Sequence, residues 1–176
     1  SAGIVPTSST TAQLALGDAL SIAAMKQKKF KGLDFKKIHP AGSLGAKLKT
    51  VEDLMMSGSK IPFINENSSM KKALSIITKK KLGILIATNK QKFTTGIITD
   101  GQIRRSSQKN KSLIELSVKK VMTKNPISVD KDMLAVKSLA VMSENKITSL
   151  CVHKKNSHGK TIGVLHIHNI LDGNIS

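Results

Sequence analysis

The chain has 176 residues, 39% of them apolar and only 2% aromatic, so one ordinary domain, or a compact domain plus part of another, must be built from Ile, Leu, Val, Ala and Met. No run approaches the roughly 18 uncharged apolar residues of a membrane span, and Ser1-Ala2-Gly3 opens nothing resembling a signal peptide, which predicts a soluble, cytoplasmic piece of something longer. The net charge of +18 invites a nucleic-acid partner, but the lysines are scattered, Arg104 and Arg105 are the only arginines, and Trp and Tyr are absent, so solvated lysine faces are the preferred reading.

In chain order, the hydroxyl-rich Pro6-Thr7-Ser8-Ser9-Thr10 offers N-caps for a helix over Thr11 to Lys28. Gln13, Gly17, Asp18 and Ser21 make one narrow polar stripe, and nearly every other position is Ala, Leu, Ile or Met. A helix that apolar needs a covering partner, either missing from this chain or supplied by another copy. Leu33 to Ile38 predicts one more helical turn, stopped at His39 because Pro40 disfavours helix in the residue before it. His39-Pro40-Ala41-Gly42-Ser43-Leu44-Gly45 then divides the chain in two.

From Val51 the sequence can be laid on itself. Leu54-Met55 matches Val121-Met122, Pro62 matches Pro126, and Leu74, Ile77 and Leu82 match Leu139, Met142 and Ile147. Gly96-Ile97-Ile98 matches Gly163-Val164-Leu165. Each copy predicts an amphipathic helix (69–80; 133–145), a strand (83–87; 149–153), a polar hairpin turn (89–92; 156–160) and a second strand entering another helix. Two such half-modules should pack as a pseudo-twofold pair. Cys151, alone in an apolar run, reads as a buried structural thiol.

That order, with Met122-Thr123, Asn125-Pro126 and a Gly-led strand running into a helix, resembles a tandem pair of cystathionine-beta-synthase (CBS) domains, regulatory modules that bind nucleotides between the copies. With the Pro6 to Thr11 string, Leu14 to Leu20, the His39 to Gly45 motif, Gly96 to Gly101 and Gly163 to His168, the chain is similar to the D-arabinose-5-phosphate isomerase family. The resemblance implies an α/β (α+β) architecture: residues 1–48 end a sugar-isomerase (SIS) domain, and 49–110 and 111–176 are the two CBS domains. It also implies interconversion of D-ribulose 5-phosphate and D-arabinose 5-phosphate for Kdo and lipopolysaccharide synthesis, without a cofactor, in a homo-oligomer. A CBS pair would dimerise, and the full-length enzyme would be a tetramer.

In that family the motif histidine, matched here by His39, lies at the active site. Its pKa suits proton exchange near neutrality, and a chain lacking most of the isomerase domain should be inactive alone. Thr99 and Asp100, at a strand end, could hold ribose hydroxyls. The usual second acid is replaced by Gln102 and, in the second copy, by Asn169, which leaves room for a nucleotide sugar such as CMP-Kdo. Arg104 and its neighbour Arg105 could meet a phosphate or carboxylate, or form a solvated helix face. His166 and His168, two apart on a strand, would face the same way, and pocket lining is preferred to metal ligation because no third ligand is near. The alternatives are a stand-alone adenine-nucleotide-sensing CBS protein and a basic nucleic-acid-associated module, whose affinity would fall steeply with salt.

Overall fold

A computed structural model describes residues 6–30, 34, 38, 42–110, 112–155, 157 and 159–173. The chain divides into two compact units, residues 1–45 and 46–176. In the first, helix α1 (Thr7–Gln27) begins four residues before the expected start. The hydroxyls do not cap it: Pro6 stands at the N-cap with no side-chain bond, while Thr10 and Thr11 bond back to the carbonyls of Pro6 and Thr7. No residue of α1 is buried, and Leu14 and Leu20 are 70% and 63% exposed. Asp34 and Ile38 are helical, where the extra turn is expected; His39 lies outside the described residues. A short helix α2 (Gly42–Lys47) marks the boundary.

The second unit begins with α3 (Val51–Leu54) and β1 (Met56–Ser57). The first copy continues with β2 (Phe63–Asn65), α4 (Met70–Lys80), β3 (Ile84–Thr88), β4 (Thr94–Thr99) and α5 (Asp100–Lys109). The second runs α6 (Val118–Val121), β5 (Thr123–Lys124), β6 (Ser128–Asp130), α7 (Ala135–Asn145), β7 (Ser149–His153), β8 (Gly163–His166) and α8 (Ile167–Asp172). All five β3 residues are buried, which explains why this strand reads as a continuous apolar run rather than an alternating one. Helices α4 and α7 both end on a lysine at positive φ, Lys81 at 55° and Lys146 at 53°. Helix α7 starts two residues later than its pattern suggests, because the Met133 carbonyl accepts the Val51 N–H at 2.8 Å and Leu134 is extended.

The two sheets, ordered β2-β3-β4-β5 and β1-β8-β7-β6, are exchanged at their edges. Strand β1 opens the first copy but pairs antiparallel with β8 of the second, Met56 opposite Val164. Strand β5 precedes the second copy's β6 but pairs with β4 of the first, Ile97 opposite Thr123. The short helices follow: Val51 joins the second core, with Leu150, Val152, Leu165 and Ile170, and Val118 and Val121 join the first, with Met70, Leu85 and Ile98. A third cluster joins the copies, Ile61, Ile84 and Ile86 meeting Cys151 and Val164. Burying each such Ile or Leu contributes about 1.5–3 kcal/mol.

Glycine is required at the exchange. A Cβ on Gly96 would lie 2.6 Å from the Met122 sulfur, and one on Gly163 would sit on the Met55 sulfur. The residues that match between copies in sequence thus meet across copies in space. Near the pseudo-twofold axis the hydroxyls of the matching Thr94 and Thr161 hydrogen-bond at 2.8 Å.

Candidate functional site

The second strand of each copy delivers its last residue to the start of a helix, and these two corners carry the site. In the first, Thr99 ends β4 and its hydroxyl accepts the Gln102 N–H at 3.3 Å, an N-cap for α5. Asp100 follows; its N–H donates to the Gly83 carbonyl at 3.3 Å. Its Oδ2 lies 3.0 Å from the place a Gly83 Cβ would take, and Gly83 has φ 62°. Two reasons therefore make glycine fit position 83. Gln102, which stands where nucleotide-binding CBS domains carry an acid, donates to the Val121 carbonyl at 2.8 Å and accepts from Arg105 at 2.9 Å. That side chain is committed to holding α6 and Arg105 in place.

In the second corner His166 ends β8 as the N-cap of α8. Its N–H donates to Asn169 Oδ1 at 3.0 Å, and its Nδ1 accepts the His168 N–H at 3.2 Å. Asn169, the other substituted acid, thus closes a capping box. This corrects the strand placement of the histidine pair: His168 is already helical, because the cap turns the chain at His166. The rings are nevertheless adjacent, stacked with centroids 4.9 Å apart and planes 25° from parallel. Burial, and secondarily His168, hold the His166 imidazole below its ordinary pKa.

Each corner faces the end of the other copy's helix. A cleft of about 380 Å³ lies between Thr99, Asp100 and Arg105 of the first copy and Lys146, Thr148 and His166 of the second. Its pseudo-twofold counterpart, about 370 Å³, is lined by Lys81, Leu82 and Gly83 of the first copy and His166, His168 and Asn169 of the second. The two halves share Gly83 and His166. Of the predicted residues, Thr99, Asp100 and His166 line the first half, and His166 and His168 the second. Arg104 is exposed and does not line the cleft; its neighbour Arg105 does.

Sequence reasoning missed Lys81 and Lys146, although the match of Leu82 with Ile147 pointed to the residue before each. A smaller pocket of about 180 Å³ beside the hairpins is lined by Asn125, Pro126, Cys151, His153 and Thr161 among others. There burial pushes the Cys151 thiol up to about 11, with Thr161 opposing. Among the described residues no group of three or more His, Cys, Asp or Glu side chains is placed to hold a metal ion, and no helix is long and apolar enough to cross a membrane.

The model of the CBS domain matches residues 51–109 and 118–174. Arabinose 5-phosphate isomerase KdsD of Escherichia coli (strain K12) is 40% identical over 170 residues, 96% of this chain and 51% of that protein, and the Salmonella typhi protein of the same name is 39% identical over the same span. The chain therefore spans about half the length of the curated relatives it matches. Among solved structures, the CBS domain pair of protein MJ0100, in complex with 5'-methylthioadenosine and S-adenosyl-L-methionine, superposes with a TM-score of 0.64 at 21% identity, covering 73% of this chain and 99% of that one. With two copies of the fold, exchanged edge strands and family matches over both repeats, the chain belongs to the CBS-domain family.

Proposed function

We propose that this chain is the C-terminal regulatory portion of an arabinose-5-phosphate isomerase, with a CBS pair that senses a nucleotide or nucleotide sugar such as CMP-Kdo. The observation that carries the isomerase part is the similarity to KdsD over 96% of the chain, because it continues through α1 and the His39 motif, beyond the CBS matches. On this reading residues 1–48 close a sugar-isomerase domain, and 49–110 and 111–176 are the CBS domains it answers to. The whole enzyme interconverts D-ribulose 5-phosphate and D-arabinose 5-phosphate, in the cytoplasm and on the way to lipopolysaccharide. His39 takes part in moving a proton between C1 and C2, a step that needs a base and stabilisation of the enediol. The apolar surface of α1 supports a role in packing against the rest of that enzyme or another copy.

The sensing part is supported by the first half of the cleft. A carboxylate at Asp100 suits a ribose diol, and Arg105 and Lys146 suit a phosphate. Calorimetric titration of the chain with CMP-Kdo, CMP, AMP and ATP tests it, and silence with all four overturns the sensor. Binding of AMP or ATP alone would favour a general adenine-nucleotide sensor instead. In the full-length enzyme, His39→Ala should abolish most turnover; wild-type turnover would remove His39 from the mechanism.

A further inference from the structure

The chain enters the CBS pair through residues 49–55, and this segment is held by the second copy. The Val51 and Glu52 N–H groups donate to the carbonyls of Met133 and Lys131 at 2.8 and 2.9 Å. The Lys131 ammonium returns to the Glu52 carboxylate at 2.7 Å. Lys49 makes a different connection: its half-buried side chain donates to the carbonyl of Gly173, at the end of α8, at 3.0 Å. A Cβ on the buried Gly173 would lie 3.0 Å from Leu54 Cδ2, so the entering segment meets the end of α8 through packing as well as charge. The start of α8 is the cleft. His166 caps the helix through its bonds with Asn169 and the His168 N–H, and it lines both halves. Six residues, about 9 Å of helix, separate the two ends, and Ile167 and Ile170 pack with Val51 and Leu54 in the second core. The first copy is built otherwise. The bond from the Ala135 N–H to the Lys49 carbonyl is repeated there from Met70 to Leu116, at the same 2.8 Å, so Leu116 holds the place of Lys49. Leu116 packs against the first core with a side chain that cannot donate.

Resting on the sensor reading above, we propose that Lys49 and α8 form a latch that couples the cleft corner at His166 to the segment through which residues 1–45 join the pair. Lys49 lines neither half of the cleft, so it is a positioning residue. An occupant that draws on His166 disturbs the cap of α8, and a helix this short shifts as one piece. The Gly173 carbonyl then keeps its ammonium or loses it. Bond made and bond broken are two discrete arrangements, which gives the coupling a physical carrier. A half-buried ammonium left without its acceptor is costly, which sharpens the difference between them. Linkage makes the coupling reciprocal: breaking the Lys49 bond changes cleft affinity by the factor through which occupancy changes the bond.

Amide hydrogen exchange on the 176-residue chain tests the latch. It reads Val51 and Glu52 against Val118 and Lys119, which make the same bonds in the first copy, to Ser68 and Glu66. Asn169→Ala loosens the cap without any ligand and should speed exchange at Val51 and Glu52 about fivefold relative to that internal reference. On a Lys49→Met background the same change should add nothing, and Lys49→Arg should restore it. On a Lys131→Met background, where the segment is loosened without touching α8, it should persist. Equal changes at both pairs of amides, or an excess that survives Lys49→Met, overturn the latch. With AMP or CMP as probe, saturation should shift Val51 and Glu52 in the wild type and leave them unmoved in Lys49→Met. A probe that binds by calorimetry without shifting these amides overturns the latch and leaves the sensor standing. Silence with AMP, ATP, CMP and CMP-Kdo overturns the sensor, and Asn169→Ala alone then decides the latch.

Discussion

The two copies divide their residues between agreement and disagreement in an orderly way. Where they build the scaffold they agree: Leu85 and Leu150 are both fully buried, Met122 and Met55 both lie on the opposite copy's strand glycine, and Lys81 and Lys146 both end the long helices. Even a charge pair across the exchange is kept with its signs reversed. Lys131 bonds Glu52 at 2.7 Å in one place, and Lys119 faces Glu66 at 3.9 Å in the other. Where the copies face the cleft they disagree, Thr99 and Asp100 standing opposite His166 and Ile167. The copies share their packing and differ in their lining, so the scaffold should respond symmetrically to mutation and the cleft should not.

The largest effect that could break this symmetry is in the cores. Leu85→Ala and Leu150→Ala should each lose about 2–5 kcal/mol in denaturant unfolding, and a gap between them beyond the spread of such sites would show unequal copies. Next, Gly96→Ala and Gly163→Ala should each cost about 1–3 kcal/mol by overpacking; Met55→Ala should relieve the contact at Gly163 in a double-mutant cycle, whereas Met122→Ala should relieve only part of it at Gly96, where the Thr123 carbonyl also lies 2.7 Å from the added Cβ. Additive costs would show that the methionines are not the cause.

The cleft corners should part company. Asn169→Ala removes an acceptor from the His166 backbone and should cost about 1 kcal/mol. Gln102→Ala should also loosen α6 and Arg105, visible as faster amide exchange at Val121. The smallest effect is in pH dependence. A His166 pKa held below its unfolded value of 6.5 favours the neutral ring in the fold, so its contribution is present above about 6.5 and is lost as pH falls through the lower folded value. His166→Asn keeps a capping side chain and should flatten the acid limb of a thermal-melt series; an unchanged limb would assign it to other groups.

Much of this architecture was legible because core-forming periodicity is local. The helices, the hairpin strands and the doubling at Val51 follow from apolar spacing alone. The edge exchange was not legible, since β1 and β5 are two residues long and their pairing is set by contacts distant in sequence. The helix start at Thr7 was missed because hydroxyls that bond back along a helix look, in sequence, like hydroxyls that cap one. The strand geometry expected of His166 and His168 fails because a capping imidazole at His166 turns the chain into a helix. Thr99 and Asp100 could be read from a hydroxyl and an acid at a strand end. Arg105 displaced Arg104 through its bond to Gln102, which spacing could not reveal.

The exchanged edges have a consequence for how the unit comes into being. Met56 cannot find Val164, nor Ser57 Gly163, until nearly the whole unit has been made, so β1 leaving a ribosome stays unpaired until the second copy follows. Severed at the joint near Asn110, each piece would still carry the border strand that the other lacks. Two such pieces mixed in a tube should therefore recover one another, and either alone should remain open at an edge.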